Sequence, residues 1–503
     1  MAFAEANYCD QLLRHAAATP GQTALVTDHA SLSFADLAWA LGGIARGLDQ
    51  SDVEPGAVVA ILTDGNAGTS LAALGSMLGG RATLVLDPGS PDADIARLLS
   101  TAGARLLLID RSIALERAAA IAGPIQTVAI EDLPDGFDPV AVRRPGGDRL
   151  AQIAISSGTS GPSKSAPSSH RQLIDRIDAR SAPLGLTSAD RHRPIVSMNF
   201  ALGRYPVWRT LNAGGTVAFH PLPQSMPKLI ADLTADAISY LATAPTHVTA
   251  MLDGLPQQSE PALPAVRVLT VASAMLPLAT RKAILSRLTP NLHIGYASNE
   301  AGTITHATPA DLALNPDTVG RAVETVALRI VDDLDRPLPA GAIGEVCVRS
   351  PLVSEHYIGD PAATDRAHRN GWFHMGDTGY LDADGYLFLR GRVDDRINFG
   401  GRKLYPIEIE EVLLAHPAVA EAVALAMPSA RNQEVPVAAV VLRHPVAANE
   451  LESHCRAALN DWKVPRDIFV LPELPRTGTR KVKVPELRKI LLSHVRARRG
   501  RPA

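Results

Sequence analysis

Helical and strand-like spacings of hydrophobic residues alternate through the first half of the chain. Ser33–Leu48 carries apolar residues at helical spacing, with Ser33 placed to cap the start. Ala57–Leu62 is a continuous apolar run that predicts a buried strand. Leu71–Leu78 then predicts a helix and Ala82–Leu86 the next strand, and Ile95–Ala102 with Ala104–Ile109 repeats the order. Leu150–Ile155 predicts a further short strand. The order returns at Pro227–Leu233 with Ala237–Ala242, and at Leu276–Arg287 with Leu292–Tyr296. Alternation of this kind predicts α/β layers on a mostly parallel sheet. No short repeat marks a solenoid.

Beyond residue 320 the pattern changes. Ala327–Val331, Gly344–Val348 and Gly385–Arg390 predict strands separated by Gly, Pro and Asp turns. Gly391-Arg-Val-Asp-Asp395 is polar and follows the last of them, as a linker would. After it, Ile407–Leu414 and Leu451–Leu459 predict helices, and Val419–Ala426 and Val435–Leu442 predict strands. That makes a separate C-terminal α+β unit of ordinary small-domain size.

Composition narrows the class. A chain of 503 residues has room for two or more domains. Its 46% apolar and 20% charged residues are those of a soluble globular protein. A net charge of -3 gives no global field for nucleic acid, and no basic stripe interleaves with aromatics. Cys9, Cys347 and Cys455 lie far apart in sequence, so neither a disulfide framework nor a metal cluster is expected, and a reducing, cytoplasmic setting is. The first residues lack the basic-then-apolar order of a secretory signal, and no apolar run reaches the length of a membrane span. The basic stretch Arg496–Ala503 is expected to be a solvated end.

The candidate chemistry begins at Ser156–Lys164, which reads Ser-Ser-Gly-Thr-Ser-Gly-Pro-Ser-Lys and follows a predicted strand. Gly158 and Gly161 allow close backbone approach, and successive N–H groups can form a concave anion site. Ser156, Ser157, Thr159 and Ser160 add hydroxyl donors, and Lys164 adds a positive charge. The combination suggests a grip on a polyphosphate. It is not a Walker loop, which needs Gly immediately before Lys; here Ser163 precedes Lys164.

Four further segments follow in order. Tyr296-Ala-Ser-Asn-Glu300 comes after a predicted strand, and His374-Met-Gly-Asp-Thr-Gly379 places an acid in a glycine-rich turn. Gly391–Pro406 reads GRVDDRINFGGRKLYP, and Leu474–Arg488 reads LPRTGTRKVKVPELR. Together with the Ser/Gly loop, the set resembles the adenylate-forming superfamily of acyl- and aryl-CoA synthetases, peptide-synthetase adenylation domains and luciferases. The resemblance runs from about Ala24 to Arg488.

That resemblance implies a fold and a reaction. The fold is α/β: a large N-terminal domain of layered α/β subdomains (1–391) and a small, mobile α+β C-terminal domain (396–503), joined by a hinge at 392–395. The reaction joins a carboxylic acid to ATP as an acyl-adenylate with release of pyrophosphate, then passes the acyl group to a thiol or amine. Thr159, Ser160 and Lys164 would lie in the loop holding the β- and γ-phosphates. Tyr296 would stack on adenine, and Glu300 would bind Mg²⁺. Asp377 would accept the ribose hydroxyls, with Arg392 supporting the same sugar. Asp394 would be the hinge. Lys481 would approach the carboxylate and α-phosphate, where an ammonium stabilises developing charge. Gly400 and Gly401 would border the channel of the acceptor.

The chain departs from the family pattern at several positions. The loop ends Ser163-Lys164-Ser165 where the family has Pro-Lys-Gly, which removes backbone freedom beside the lysine. Asn299 replaces the usual Thr before the Glu; it can still donate to phosphate, with different reach. Ala272-Ser273 replaces a Gly-Gly pair, Arg480 a Gly, and Asn398 a Lys. None of these removes a charge the first half-reaction needs.

The family's acyl pocket is built around the segment matching Ser197–Gly203. Amino-acid-activating relatives carry an Asp where this chain has neutral Asn199, and an unpaired buried ammonium is costly. An aryl or medium-sized acyl acid is therefore expected, against a wall of Phe200, Leu202, Ala244, Ala272 and Ala274. CoA is the first expected acceptor, an amine the second, and a carrier protein supplied in trans the third; a nucleotide-binding protein that no longer catalyses is the lesser alternative, against which Glu300, Asp377, Arg392 and Lys481 all stand.

Overall fold

Ser33 caps its helix with a reciprocal pair of hydrogen bonds. Its hydroxyl accepts from Asp36 N at 3.1 Å, and the Asp36 carboxylate accepts from Ser33 N at 2.9 Å, which starts the helix Phe34–Gln50. The computed structural model describes residues 6–156, 163–256, 260–429, 431–476 and 482–499. The chain divides into two compact units. One takes in the chain up to Ala327 together with Arg349–His368; the other takes Leu328–Val348 and the chain from Arg369 onward.

Two sheets carry the first unit. In the six-stranded sheet the order is Gln126–Ala129, Ala104–Ile109, Val58–Leu62, Ala82–Leu86, Leu150–Ser156 and Lys164–Ser169. All neighbours are parallel except the last pair, in which Ser156 faces Lys164 across an antiparallel ladder. The strands Val58–Leu62 and Ala82–Leu86 are buried on both faces, which is why they read as continuous apolar runs. The nine-stranded sheet is parallel through its middle strands and antiparallel at its ends. Its strands Tyr240–Thr243, Val268–Val271, Leu292–Ser298 and Gly302–Ala307 stand side by side.

The second unit holds two smaller sheets. One contains Ala327–Val331, Gly344–Arg349, Trp372–Leu381 and Leu387–Arg392. The other contains Ile397–Phe399, Arg402–Leu404, Val419–Ser429, Gln433–Leu442 and Ile468–Val470, with the helices Pro406–Leu414, Ala448–Ala458 and Val484–Arg499.

Several boundaries differ from the sequence expectation. The strand expected over Leu292–Tyr296 runs on to Ser298, because antiparallel pairing with Gly302–Ala307 carries the ladder further. The segment His374–Gly379 is not a turn. It forms the middle of the strand Trp372–Leu381, and Gly376, with φ of +67°, lies in the irregularity of its pairing with Gly344–Arg349. Gly391 and Arg392 belong to a strand, so the polar linker is shorter than expected. The helix expected over Leu276–Arg287 is α-helical only at Leu278–Ala283 and widens into a π turn over Ile284–Leu288. Ala237 sits at positive φ in a turn, and its strand begins at Tyr240.

Candidate active site

In the first unit, two antiparallel pairs bring the candidate groups together. Lys164 opens the strand that leaves the Ser/Gly loop, and Ser156 closes the strand that enters it. Glu300 sits in the connection between Leu292–Ser298 and Gly302–Ala307. Asn299 ties the two regions: its Nδ2 donates to Ile155 O at 2.6 Å, so one of its two amide hydrogens is already engaged. Ser157, Gly158, Thr159, Ser160 and Gly161 lie outside the described residues, as does Lys481.

The Glu300 backbone is fixed by Arg176, a buried guanidinium that donates to Glu300 O at 2.6 Å, to Leu352 O at 2.9 Å and to Ser168 Oγ at 2.6 Å. Ser354 N donates to the same Glu300 carbonyl at 2.8 Å. The Glu300 side chain is buried, and its Oε1 accepts from Tyr357 OH at 3.0 Å. Lys164 Nζ stands 5.0 Å from the centre of the Tyr357 ring, within cation–π range. Tyr357 is itself buried, and Ile358 N beside it donates to Ser165 O at 2.9 Å. Sequence reasoning missed Tyr357. Its one local signal is the turn that follows, where Gly359 has φ of +73° and Asp360 caps a helix starting at Pro361.

Ser165 needs none of the freedom a glycine would supply. It lies in a regular strand opposite Ile155 and is buried. Ser273 is different, because it holds φ of +85° without being glycine. Ala272 beside it is half-buried and Ala274 is exposed, whereas Ala244 is buried and Phe200 and Leu202 are half-buried. Asn199 is buried and directs Nδ2 to Thr63 O at 3.0 Å, while its Oδ1 has no partner. Arg204 holds the same loop, donating to Met198 O at 2.7 Å and Asn199 O at 2.8 Å.

In the second unit, Asp377 and Arg392 face each other across adjacent strands, and Arg392 NH1 donates to Asp377 Oδ1 at 3.0 Å and to Met375 O at 3.2 Å. Asp394 is exposed in the turn after Arg392. Gly400 and Gly401 form the tip of the hairpin Ile397–Phe399 to Arg402–Leu404 with φ of +56° and +85°, and Asn398 Oδ1 accepts from Gly401 N at 3.1 Å. A further convergence of Asp335, Glu345 and His374 has the donors of a metal site. There Arg369 already supplies the positive charge, donating to Asp335 at 3.0 Å and Glu345 at 3.2 Å and lying 2.8 Å from His374 Nδ1. No helix among the described residues is long and apolar enough to cross a membrane.

Comparison with known proteins completes the picture. Residues 12–358 match the family described as AMP-binding enzyme, and residues 408–481 match the AMP-binding enzyme C-terminal domain. The chain is 30% identical over 509 residues to an indoleacetate–CoA ligase of Aromatoleum aromaticum, covering 95% of this chain and 97% of that one. It is 31% identical over 350 residues to a protein of Humulus lupulus named as a CoA ligase, covering 67% of this chain and 65% of that one. Among solved structures, o-succinylbenzoate CoA synthetase from Bacillus subtilis, in complex with its acyl-adenylate intermediate, is 25% identical with a TM-score of 0.85 over 95% of this chain and 97% of its own. An amide bond synthetase from Marinactinospora thermotolerans is likewise 25% identical, with a TM-score of 0.85 over 96% and 99%.

Proposed function

The chain belongs to the AMP-binding enzyme family, and from that premise we propose that it activates a carboxylic acid with MgATP and transfers the acyl group to CoA. The observation that carries this reading is the buried Glu300 carboxylate, held through Oε1 by Tyr357, with Lys164 over the same ring. Tyr357 engages Oε1 of Glu300, and the second oxygen of a buried carboxylate suits a hard cation. Magnesium held at Glu300 would supply positive charge to offset that of the phosphates.

In this reading a carboxylate oxygen of the substrate attacks the α-phosphorus of ATP. The α–β P–O bond breaks and pyrophosphate leaves. The loop Ser156, Ser157, Gly158, Thr159, Ser160, Gly161 and Lys164 holds the departing phosphates. Tyr296 stacks on adenine, Asn299 turns its second amide hydrogen to phosphate, and Asp377 accepts from the ribose hydroxyls while Arg392 holds that carboxylate in place. Lys481 stabilises charge at the reacting oxygens. The acceptor thiol then attacks the carbonyl of the acyl-adenylate, AMP leaves and the thiol proton passes to solvent. Asp394 serves as the hinge between 1–391 and 396–503, and its place in an exposed turn supports that role. Gly400 and Gly401 border the acceptor's path.

The likeness to an amide bond synthetase favours one second reading, in which an amine takes the place of CoA. A product assay offering CoA and small amines side by side separates them. Thioester formation is expected. Amide formation without thioester would move the assignment to the second reading, and acyl-AMP with neither product would point to a carrier protein in trans.

A further inference from the structure

Among the described residues of the first unit six arginines are buried, and they differ in how their charge is met. Arg81 pairs with Asp49, and Arg193 with Asp236. Arg176, Arg204 and Arg281 donate to backbone carbonyls. Arg180, one helical turn beyond Arg176 and 5% exposed, has neither. Its described hydrogen-bond partner is His306 Nδ1, at 2.7 Å.

That contact sets the charge of the whole cluster. A guanidinium only donates, so His306 Nδ1 must accept and its proton sits on Nε2. Nε2 in turn lies 3.0 Å from His293 Nδ1, which then accepts. Both buried rings are thereby neutral, and burial with the neighbouring Arg180 charge presses them to about 3 for His306 and about 4 for His293. Burial and the nearby Arg209 lower Arg180 to about 10, which leaves it cationic at neutral pH. Asp311, the acid that acts on the two histidines, is engaged by Thr308, whose N and Oγ1 donate to it at 2.8 and 2.7 Å. Arg209 adds a like charge and Tyr240 a phenol. An unmatched guanidinium at this depth is costly unless an anion arrives to meet it.

The position connects this charge to the substrate. Gly295 immediately precedes Tyr296, and a Cβ built there would collide with the Arg180 guanidinium. The missing side chain is therefore what makes room for it. Arg209 lies on the helix Ala201–Asn212, which Phe200 precedes and Leu202 helps to begin, and Tyr240 lies on the strand that leads to Ala244. Arg180 thus stands among the elements that carry the acyl-pocket candidates.

We propose that the acid activated by this enzyme carries a second carboxylate, and that Arg180 receives it at the inner end of the acyl pocket. The proposal rests on the adenylation reading above and adds the substrate class.

The test uses acids matched in skeleton: benzoate against its ortho, meta and para dicarboxylates, and hexanoate against adipate. Pyrophosphate release is measured for wild type, Arg180→Lys, Arg180→Gln and Arg180→Leu, and each variant's fold is checked by circular dichroism. Wild type should favour one or more dicarboxylates by about tenfold or more in kcat/KM. Arg180→Lys should keep part of that ratio, and Arg180→Gln and Arg180→Leu should bring it near one. Preference for the monoacid in every pair, or a dicarboxylate ratio unchanged in Arg180→Leu, overturns the proposal. Thermal shifts by the same acids without ATP separate the two claims. If no acid releases pyrophosphate, the adenylation reading fails, and a dicarboxylate shift lost in Arg180→Gln still upholds the anion subsite. No release and no dicarboxylate shift in wild type overturns the subsite as well. If Arg180→Leu does not fold, the Lys and Gln variants and the wild-type ratios decide.

Discussion

Tyr357 OH donates to Glu300 Oε1 over 3.0 Å, and the face of the same ring lies under Lys164 Nζ at 5.0 Å. One phenol thus holds the orientation of an acid and a base expected to act on different parts of MgATP. Tyr357→Phe keeps the ring beneath Lys164 and removes the hydrogen bond to a buried carboxylate, which is worth about 1.5–3 kcal/mol when the acceptor is charged. The expected result is a fall of about tenfold or more in kcat/KM for MgATP, with the thermal midpoint lowered only slightly. Tyr357→Leu should lose more, since the cation–π contact goes too. Unchanged MgATP kinetics in Tyr357→Phe would mean that Tyr357 does not orient Glu300.

The two lysines should separate by step. Lys481→Ala is expected to slow acyl-adenylate formation about a hundredfold or more, as loss of a donor to developing charge does, and to leave the thermal midpoint nearly unchanged. Lys164→Ala should mainly raise the KM for ATP and weaken inhibition by pyrophosphate. Stopped-flow adenylation with melting curves checks both. Normal adenylation combined with a large loss of stability would remove Lys481 from the chemistry.

Ser273 occupies a left-handed backbone position, φ +85°, where the family pattern has glycine. Ser273→Gly relieves that strain and should stabilise the first unit by about 1 kcal/mol, read as a rise in its thermal or urea midpoint. A drop in stability would show that the Ser273 side chain makes contacts that outweigh the strain.

Acid should destabilise the protein early. Burial holds His170, His192 and His293 down to about 4 and His306 to about 3, below the ordinary value of 6.5. The unfolded chain therefore binds protons that the folded chain refuses. Stability should be full above about pH 6.5 and fall progressively as pH drops toward 4 and then 3. Urea midpoints between pH 7.5 and 4.5 check this, and His170→Gln should flatten the slope. A midpoint independent of pH across that range would contradict the burial of these rings in neutral form.

The sequence and the structure agree best where one physical rule dominates. Ala82–Leu86 and Ala104–Ile109 read correctly to the residue because both are mainly aliphatic stretches closed by polar or glycine neighbours, with only Thr83 and the exposed Arg105 interrupting them. Ser33 was legible as a cap because it opens the helically spaced run, and the structure adds the reciprocal bonds with Asp36. The segment His374–Gly379 was misread because glycine composition suggests a turn, whereas pairing with Leu387–Arg392 keeps it extended. Tyr357 and Arg180 were invisible because their meaning lies in partners far along the chain, Glu300 and His306. The hydrogen bond from the Asn199 amide to Thr63 O was likewise invisible, since no local pattern encodes a contact so far along the chain.

The most direct test of the central claim is carboxylate-dependent pyrophosphate release with MgATP, measured over aryl, fatty, dicarboxylic and amino acids, each with and without CoA. Release driven by an aryl or acyl acid and accelerated by CoA, with thioester formed, is the predicted result. No release with any carboxylic acid, or release driven by free α-amino acids in preference to simple acids, would contradict it.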